Sequence, residues 1–186
     1  MTTTITRCLP FAMSALFVSF LISACSNDSS PTTPSTTTNS SARFILNGSP
    51  YANVSIDIRD NVNGAWLDNS TKRVTGILDA PATFSTGSIK RTVFTLTLPE
   101  GKTGTFQWID AKGGVLSESG VFIDIYDGST RTHTLQAMSG TTRVTVFGSI
   151  GDSIAGTFSG TLRLKETGDI ISLSSGSFTF TRLPNN

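Results

Sequence analysis

The sequence predicts an all-β fold: an antiparallel β-sandwich of roughly ten to twelve short strands, with a closed β-barrel as the alternative. Apolar and polar residues alternate almost throughout residues 43–186, and Thr, Val, Ile and Phe dominate the alternating segments. Turn-forming residues separate these segments. No window shows helical spacing of apolar residues behind a capping box. Short strands between Gly, Pro and Asn turns are typical of both architectures.

The alternation is clearest in two segments. Within residues 91–98 one face carries Phe94, Leu96 and Leu98. Within residues 156–165 an apolar face alternates with Ser, Thr, Arg and Lys, the pattern of a strand with one face on a core and the other in water. Gly160 falls on that apolar face, where it leaves room for a neighbouring aromatic ring.

Turn signals mark where the strands end. They fall at residues 47–50, 63–64, 99–102, 112–114, 127–128 and 167–169, and residues 151–155 also read as a hairpin turn. In the last segment the apolar phase changes from odd positions to even ones, between Leu173 and Phe178. A bulge or tight turn near residues 174–176 accounts for this change.

Residues 1–24 have the pattern of an export signal peptide. Arg7 is the only charged residue there, a short apolar core follows it, and small residues precede Cys25. The apolar core is short of the about 20 residues that a membrane-spanning helix needs, and Pro10 interrupts it.

The segment Ile22-Ser23-Ala24-Cys25 resembles the bacterial lipobox, an aliphatic residue and two small residues before a cysteine. The resemblance implies that Cys25 receives a thioether-linked diacylglycerol and becomes the N-terminus, usually with a further acyl chain. Two or more chains make a lasting membrane anchor. Ser26 after the cysteine favours the outer membrane over the inner one, and the side of the membrane stays open.

The chain therefore divides into a lipoprotein signal peptide (1–24), a lipidated cysteine with a disordered Ser/Thr/Pro linker (25–42) and an all-β domain (43–186). The linker contains no residue able to make a core, so burial cannot offset the entropy of ordering it. Since Cys8 leaves with the signal peptide, Cys25 is the only cysteine of the processed chain. No disulfide or thiolate metal site is expected.

The balance of positive and negative charges argues against two kinds of partner. The whole chain has 14 basic and 13 acidic residues, and loss of Arg7 leaves 13 of each. A balanced chain without a basic stripe argues against nucleic-acid binding and against electrostatic binding to a membrane surface.

Two segments repeat each other: residues 54–60 and 121–127 match at five of seven positions. Their core faces would carry Val and Ile, with Asp57 and Asp124 on the opposite face. The favoured interpretation is two similar strands that run into Asx-type turns. The alternative is a pair of carboxylate clusters for Ca²⁺ or a sugar, but Val62 occupies a position that a calcium loop needs for a ligand. No metal and no cofactor are expected.

Little in the chain points to catalysis. His133 is the only histidine, and its threonine-rich surroundings favour a partly exposed strand residue over a general base. Nucleophile-elbow, zinc-protease and phosphate-loop motifs are missing from the sequence. A glycosidase would need two carboxylates together in a cleft, which sequence cannot place.

Aromatic residues suggest binding instead. Tyr51, Trp66, Trp108 and Tyr126 are the types that stack on sugars or anchor a protein partner. Trp108 shares a face with Phe106 and is assigned to the core, whereas Trp66 follows a turn and is expected to be exposed. The face with Phe122, Asp124 and Tyr126 is either a second core layer, the favoured interpretation, or a ligand platform.

Both ends of the domain resemble uncharacterised lipid-anchored all-β proteins of the bacterial envelope. The closing segments follow a V-x-V, an I-x-G-x-F-x-G-x-L and a final G-x-F pattern, and residues 44–51 look like an opening F-x-x-N-G-x-x-Y hairpin. The resemblance implies an all-β fold and a lipid anchor. It brings no catalytic residues with it.

The sequence thus favours a cell-envelope lipoprotein that binds a glycan or another envelope protein, with Tyr51, Asp57, Trp66, Asp124 and Tyr126 as candidate ligand residues. Two alternatives stay open: a hydrolase that uses acidic residues on the sheet, and a structural accessory subunit of a surface assembly.

Overall fold

The computed structural model describes residues 39–111 and 118–186. The predicted signal peptide, Cys25 and nearly all of the predicted linker lie outside these residues, which belong to one compact unit, residues 35–186.

The described residues are all-β, as predicted, and contain no helix. The ten strands are β1 (Ser40–Gly48), β2 (Tyr51–Asp60), β3 (Ala65–Leu67), β4 (Val74–Phe84), β5 (Ile89–Leu98), β6 (Gly104–Gln107), β7 (Gly120–Asp127), β8 (Thr130–Phe147), β9 (Ser153–Leu164) and β10 (Ile170–Thr181). Each turn signal in the described part of the chain overlaps the connection between two of these strands.

Of the two architectures that the sequence left open, the closed barrel is present and the sandwich is not. Strands β1, β2, β4, β5, β7, β8, β9 and β10 pair in that order, all antiparallel, and β10 pairs back to β1. The sheet therefore returns to its first strand instead of splitting into two layers. Register shifts in the β1–β10, β7–β8 and β8–β9 pairs supply the bulges that help a sheet curve to closure.

The two remaining strands extend the barrel at one end. β3 pairs with the start of β4, and β6 pairs with the second half of β8. Because consecutive antiparallel strands connect at alternating ends, both lie at the same end, here called the long-loop end. The short turns at residues 48–51, 85–88, 127–130 and 165–169 form the opposite end, the tight-turn end.

β1 begins at Ser40, three residues before the predicted start of the domain. Ser40 and Ala42 continue the inward phase of Phe44 and are themselves buried. The Ser40 hydroxyl also accepts a hydrogen bond from the amide of Thr181 at 3.0 Å, which ties this start to the end of β10.

Phenylalanine rings fill the barrel. The rings of Phe44, Phe94 and Phe158 lie within 6.0 Å of one another between centroids, and Phe178 and Phe180 continue the cluster. Eight strands enclose a space that side chains can just fill, so this is a packed core. The predicted bulge is confirmed: the β9–β10 register shifts between Leu173 and Gly176.

Candidate functional site

The five predicted ligand residues do not come together on one rim. Tyr51 lies at the tight-turn end on the inner side of the barrel, and Asp57 on the outer face of β2. Asp124 and Tyr126 lie on the outer face of β7, and Trp66 lies on β3 at the long-loop end.

Tyr51 is buried, with its hydroxyl 2.7 Å from Nδ1 of His133. Burial is the main cause that raises the pKa of the Tyr51 phenol, and the nearby Glu166 carboxylate is the second cause. The phenol therefore keeps its proton and can donate a hydrogen bond to His133. His133 is therefore part of the inner face opposite Ile125, in phase with Leu135 and Ala137. The expectation of an ordinary strand histidine missed this tyrosine partner, which lies 82 residues away.

Asp124 and Tyr126 already have partners within the chain. Thr134 donates a hydrogen bond to Asp124 Oδ1 at 2.7 Å, and a guanidinium nitrogen of Arg131 lies 3.5 Å from Oδ2. The guanidinium of Arg91 covers the Tyr126 ring at 4.7 Å from its centroid. This face is thus an ion-paired layer on the outside of the barrel, and the partly exposed ring of Tyr126 is covered by an arginine.

Trp66 is half-buried, not exposed as expected. It lies in β3 opposite Thr75, and residues 182–186 run beside this strand. The amide of Leu183 donates to the carbonyl of Ala65, and the amide of Asn186 to that of Leu67. Trp108, in contrast, is buried as predicted and donates its indole N–H to Thr142 at 2.8 Å.

Asp57 lies in a groove on the outer face. Arg43, opposite it on β1, donates to Asp57 Oδ2 at 2.6 Å, and Arg59 lies 3.7 Å from Oδ1. These three residues line two adjoining grooves of about 540 and 440 Å³. Because the Arg43 and Arg59 side chains are 63% and 80% exposed, both present N–H groups to the solvent.

The groove continues across three further strands. Arg43 pairs with Ser177 on β10, Ser177 with Thr157 on β9, and Thr157 with Arg143 on β8. A cavity of about 340 Å³ spans Ser177 to Arg143, and one of about 400 Å³ continues past Arg143 to β6. The first two cavities share Arg43, the 540 and 340 Å³ cavities share Ser177, and the last two share Arg143. The four therefore form one path, here called the arginine groove.

Small outward residues create this groove. Between Arg43 and Arg143 the outer face carries Ser177, Thr157 and Ser159, with the exposed Ser175 in the β10 bulge, so no large side chain fills the space above the backbone. At about 4.8 Å per strand, Arg43 and Arg143 stand about 14 Å apart along a row of hydroxyls.

The groove is locally basic in a chain whose charges balance. Its charged lining residues are Arg43, Arg59 and Arg143 against Asp57, a local excess of two positive charges. Arg143 is exposed and has no ion-pair partner within residues 39–111 and 118–186. The guanidinium fork and the neighbouring hydroxyls suit carboxylate or phosphate oxygens.

Sequence reasoning missed Arg43 and Arg143. Each alternates with buried neighbours, Arg43 between Ala42 and Phe44 and Arg143 between Thr142 and Val144, so their outward direction was readable. The two arginines lie on one face because β1 pairs with β10. This pairing joins the two ends of the domain, and the sequence near either arginine does not indicate it.

No metal site forms in the described part of the chain: no three His, Cys, Asp or Glu residues lie close enough together. Asp60 instead makes an Asx-type turn, as the favoured interpretation holds, since Oδ1 accepts the amides of Val62 and Asn63. Asp57 and Asp124 lie on β2 and β7, two strands that are not neighbours.

Among residues 39–111 and 118–186 there is no helix long and apolar enough to cross a membrane. Comparison of the chain with protein-family models, curated proteins and solved structures finds no match in any of the three.

Proposed function

We propose that this protein is a lipid-anchored binding module of the bacterial cell envelope, and that the arginine groove holds an extended anionic glycan. The observation that carries the proposal is the continuous outer path in which Arg43, Arg59 and Arg143 flank a row of Ser and Thr hydroxyls.

The shape of the groove supports an elongated ligand. Four joined cavities run across neighbouring strands rather than into the barrel, which phenylalanines fill. A chain molecule lying across the strands would meet hydroxyls at each strand and a guanidinium near both ends. Hydroxyls can donate to and accept from sugar hydroxyls, which suits a polar polymer.

The charges support an anionic ligand over a neutral one. Arg43 remains more than half exposed despite its bond to Asp57, and Arg143 is exposed without a carboxylate partner in the described residues. Charge-assisted hydrogen bonds from these groups are stronger than neutral ones. Because the arginines are exposed, the affinity should fall as salt rises.

The anchor rests on residues 22–25, which resemble a lipobox, and on the Ser/Thr/Pro segment after them. Because β1 begins at Ser40, the tether is the 14 residues from 26 to 39, which would span about 50 Å when stretched. A domain held on such a tether could reach polymers beyond the membrane headgroups. Outer-membrane attachment remains part of the proposal.

The test is binding of the purified protein to an array of acidic and neutral bacterial polysaccharides, followed by titration. The double variant Arg43→Gln/Arg143→Gln should bind acidic glycans about tenfold more weakly or worse, about 1.4 kcal/mol or more. The control, Lys102→Gln/Lys165→Gln, removes the same charge from exposed sites outside the groove and should bind normally. Equal loss in both double variants, or binding to neutral glycans alone, would refute the proposal.

A further inference from the structure

A separate cavity of about 200 Å³ lies on the inner side of the barrel at the tight-turn end. Its floor is apolar, formed by Pro50, Val54, Phe84 and Ile125. The remaining lining is polar and consists of Tyr51, Thr86, Ser88, Lys90 and His133. A cavity of about 150 Å³ with apolar walls holds a benzene molecule, so this one has room for a ligand slightly larger than benzene.

The polar lining of the cavity favours a ligand with a negative charge. It contains Lys90 and His133 and no carboxylate. The carboxylate nearest to Lys90, that of Asp127, is 3.8 Å away on a side chain that is 74% exposed, so this ion pair is weak. Glu166, the acid near Tyr51, does not line the cavity and accepts a hydrogen bond from the amide of Thr134 at 3.1 Å.

The donors are held in place by the fold. Lys90 pairs with Ala82 and so shares the inner face with Thr92 and Phe94. The Tyr51 hydroxyl at Nδ1 fixes the His133 ring, and Nε2 has no hydrogen-bond partner within residues 39–111 and 118–186. In the tautomer in which Nδ1 accepts from Tyr51, the His133 ring carries its proton on Nε2 and can donate it to a ligand.

We propose that this cavity binds a small monocarboxylate with an apolar body. The apolar body would lie on the floor between Val54, Phe84 and Ile125. The carboxylate would accept hydrogen bonds from Lys90 and His133. One ammonium and one imidazole suit a single carboxylate, whereas the arginine groove, on the outer face, supplies guanidinium groups for a polymer. The inference therefore stands apart from the proposed function.

The probe is benzoate, with benzamide as its uncharged counterpart of nearly equal shape. From the usual affinity per non-hydrogen atom of small ligands, benzoate should bind with a dissociation constant of about 10 mM or tighter. Titrations followed by NMR on the purified protein should move the resonances of Tyr51, Ile125 and His133. Benzoate should bind at least fivefold more tightly than benzamide.

Two variants separate the charge from the fold. Lys90→Met keeps the apolar stem and should weaken benzoate binding at least fivefold while leaving benzamide unchanged. Lys102→Met, at the long-loop end, should leave both unchanged. If neither ligand shifts the three residues at about 10 mM, or if Lys90→Met affects both ligands equally, the proposal is wrong.

Discussion

The Trp108 ring occupies the space that a side chain at Gly160 would need. A Cβ atom at Gly160 would lie 2.5 Å from Cζ3 of Trp108 and 2.3 Å from the carbonyl oxygen of Ser139. The gap in the apolar face at Gly160 is therefore filled by an aromatic ring, as the sequence predicts. Trp108 is held there by its bond to Thr142 and by the bond from its amide to the Gly140 carbonyl.

Gly160→Ala should lower the free energy of unfolding by about 3 kcal/mol, the upper part of the usual range for overpacking, because one clash is with backbone. Gly87→Ala is the control. It meets nothing within 4 Å but has a φ of +85°, so it should cost only about 1 kcal/mol. Denaturant unfolding measures both. Equal losses would show that Trp108 does not constrain this position.

The Asp60 carboxylate should make the free energy of unfolding depend on pH in the acid range. Burial alone would raise the pKa of this carboxyl, but hydrogen bonds from Asn63, Asp79 and Val62 together outweigh it and lower the pKa. The folded pKa thus lies below the unfolded value of about 3.9. The stabilisation is complete above about pH 4 and is lost as pH falls through the folded pKa.

Asp60→Asn should therefore cost about 1.5–3 kcal/mol at neutral pH and flatten the loss of stability below about pH 4. Unfolding measured from neutral pH to about pH 2 tests this, with the exposed Asp127→Asn as a control expected to change stability by less than about 0.5 kcal/mol. An unchanged acid slope in Asp60→Asn would contradict the assignment.

Arg182 stabilises the long-loop end of the barrel. Its guanidinium donates to the carbonyl of Gly148 at 2.7 Å and lies 4.8 Å from the centroid of the Phe147 ring. Arg182→Ala should cost about 1–2 kcal/mol and speed amide exchange at Leu183 and Asn186, whose amides bond to β3. Arg59→Ala, an exposed arginine on the outer face, should leave those amides unaffected. Protection unchanged in Arg182→Ala would show that the backbone bonds alone hold residues 182–186.

The proposed lipidation of Cys25 can be tested by mass. Mass spectrometry of the membrane-derived protein should find Cys25 as the acylated N-terminal residue, and Cys25→Ala should prevent membrane attachment. An unmodified Cys25 in that fraction would remove the anchor from the account and leave the two binding proposals to be judged by themselves.

The sequence predicted what depends on neighbours along the chain. The strand faces follow from alternation, so Phe94, Leu96, Val121 and Ile123 are buried as expected. Closure of the barrel depends instead on β10 meeting β1 and on β2 meeting β4. Both pairings are long-range, and register between distant strands is not visible in their composition.

The candidate sites were harder to predict for the same reason. Tyr51 is a candidate ligand residue because of its chemistry, but its partner His133 comes from β8. Trp66 and Tyr126 are candidate aromatic platforms by residue type. In the structure Trp66 is half-buried, and the guanidinium of Arg91 covers the ring of Tyr126. Arg43 and Arg143 each alternate with buried neighbours, and only the strand order places them on one face.

The most direct measurement is an NMR map of an acidic glycan on the isotope-labelled protein. The account predicts that backbone amides of Arg43, Ser177, Thr157 and Arg143 shift together and saturate at one concentration, with the effect weakening as salt is added. Amides around Asp124 and Tyr126, on the outer face of β7 near the tight-turn end, should not move. Shifts centred on Asp124 and Tyr126, with the four groove residues unchanged, would contradict the account.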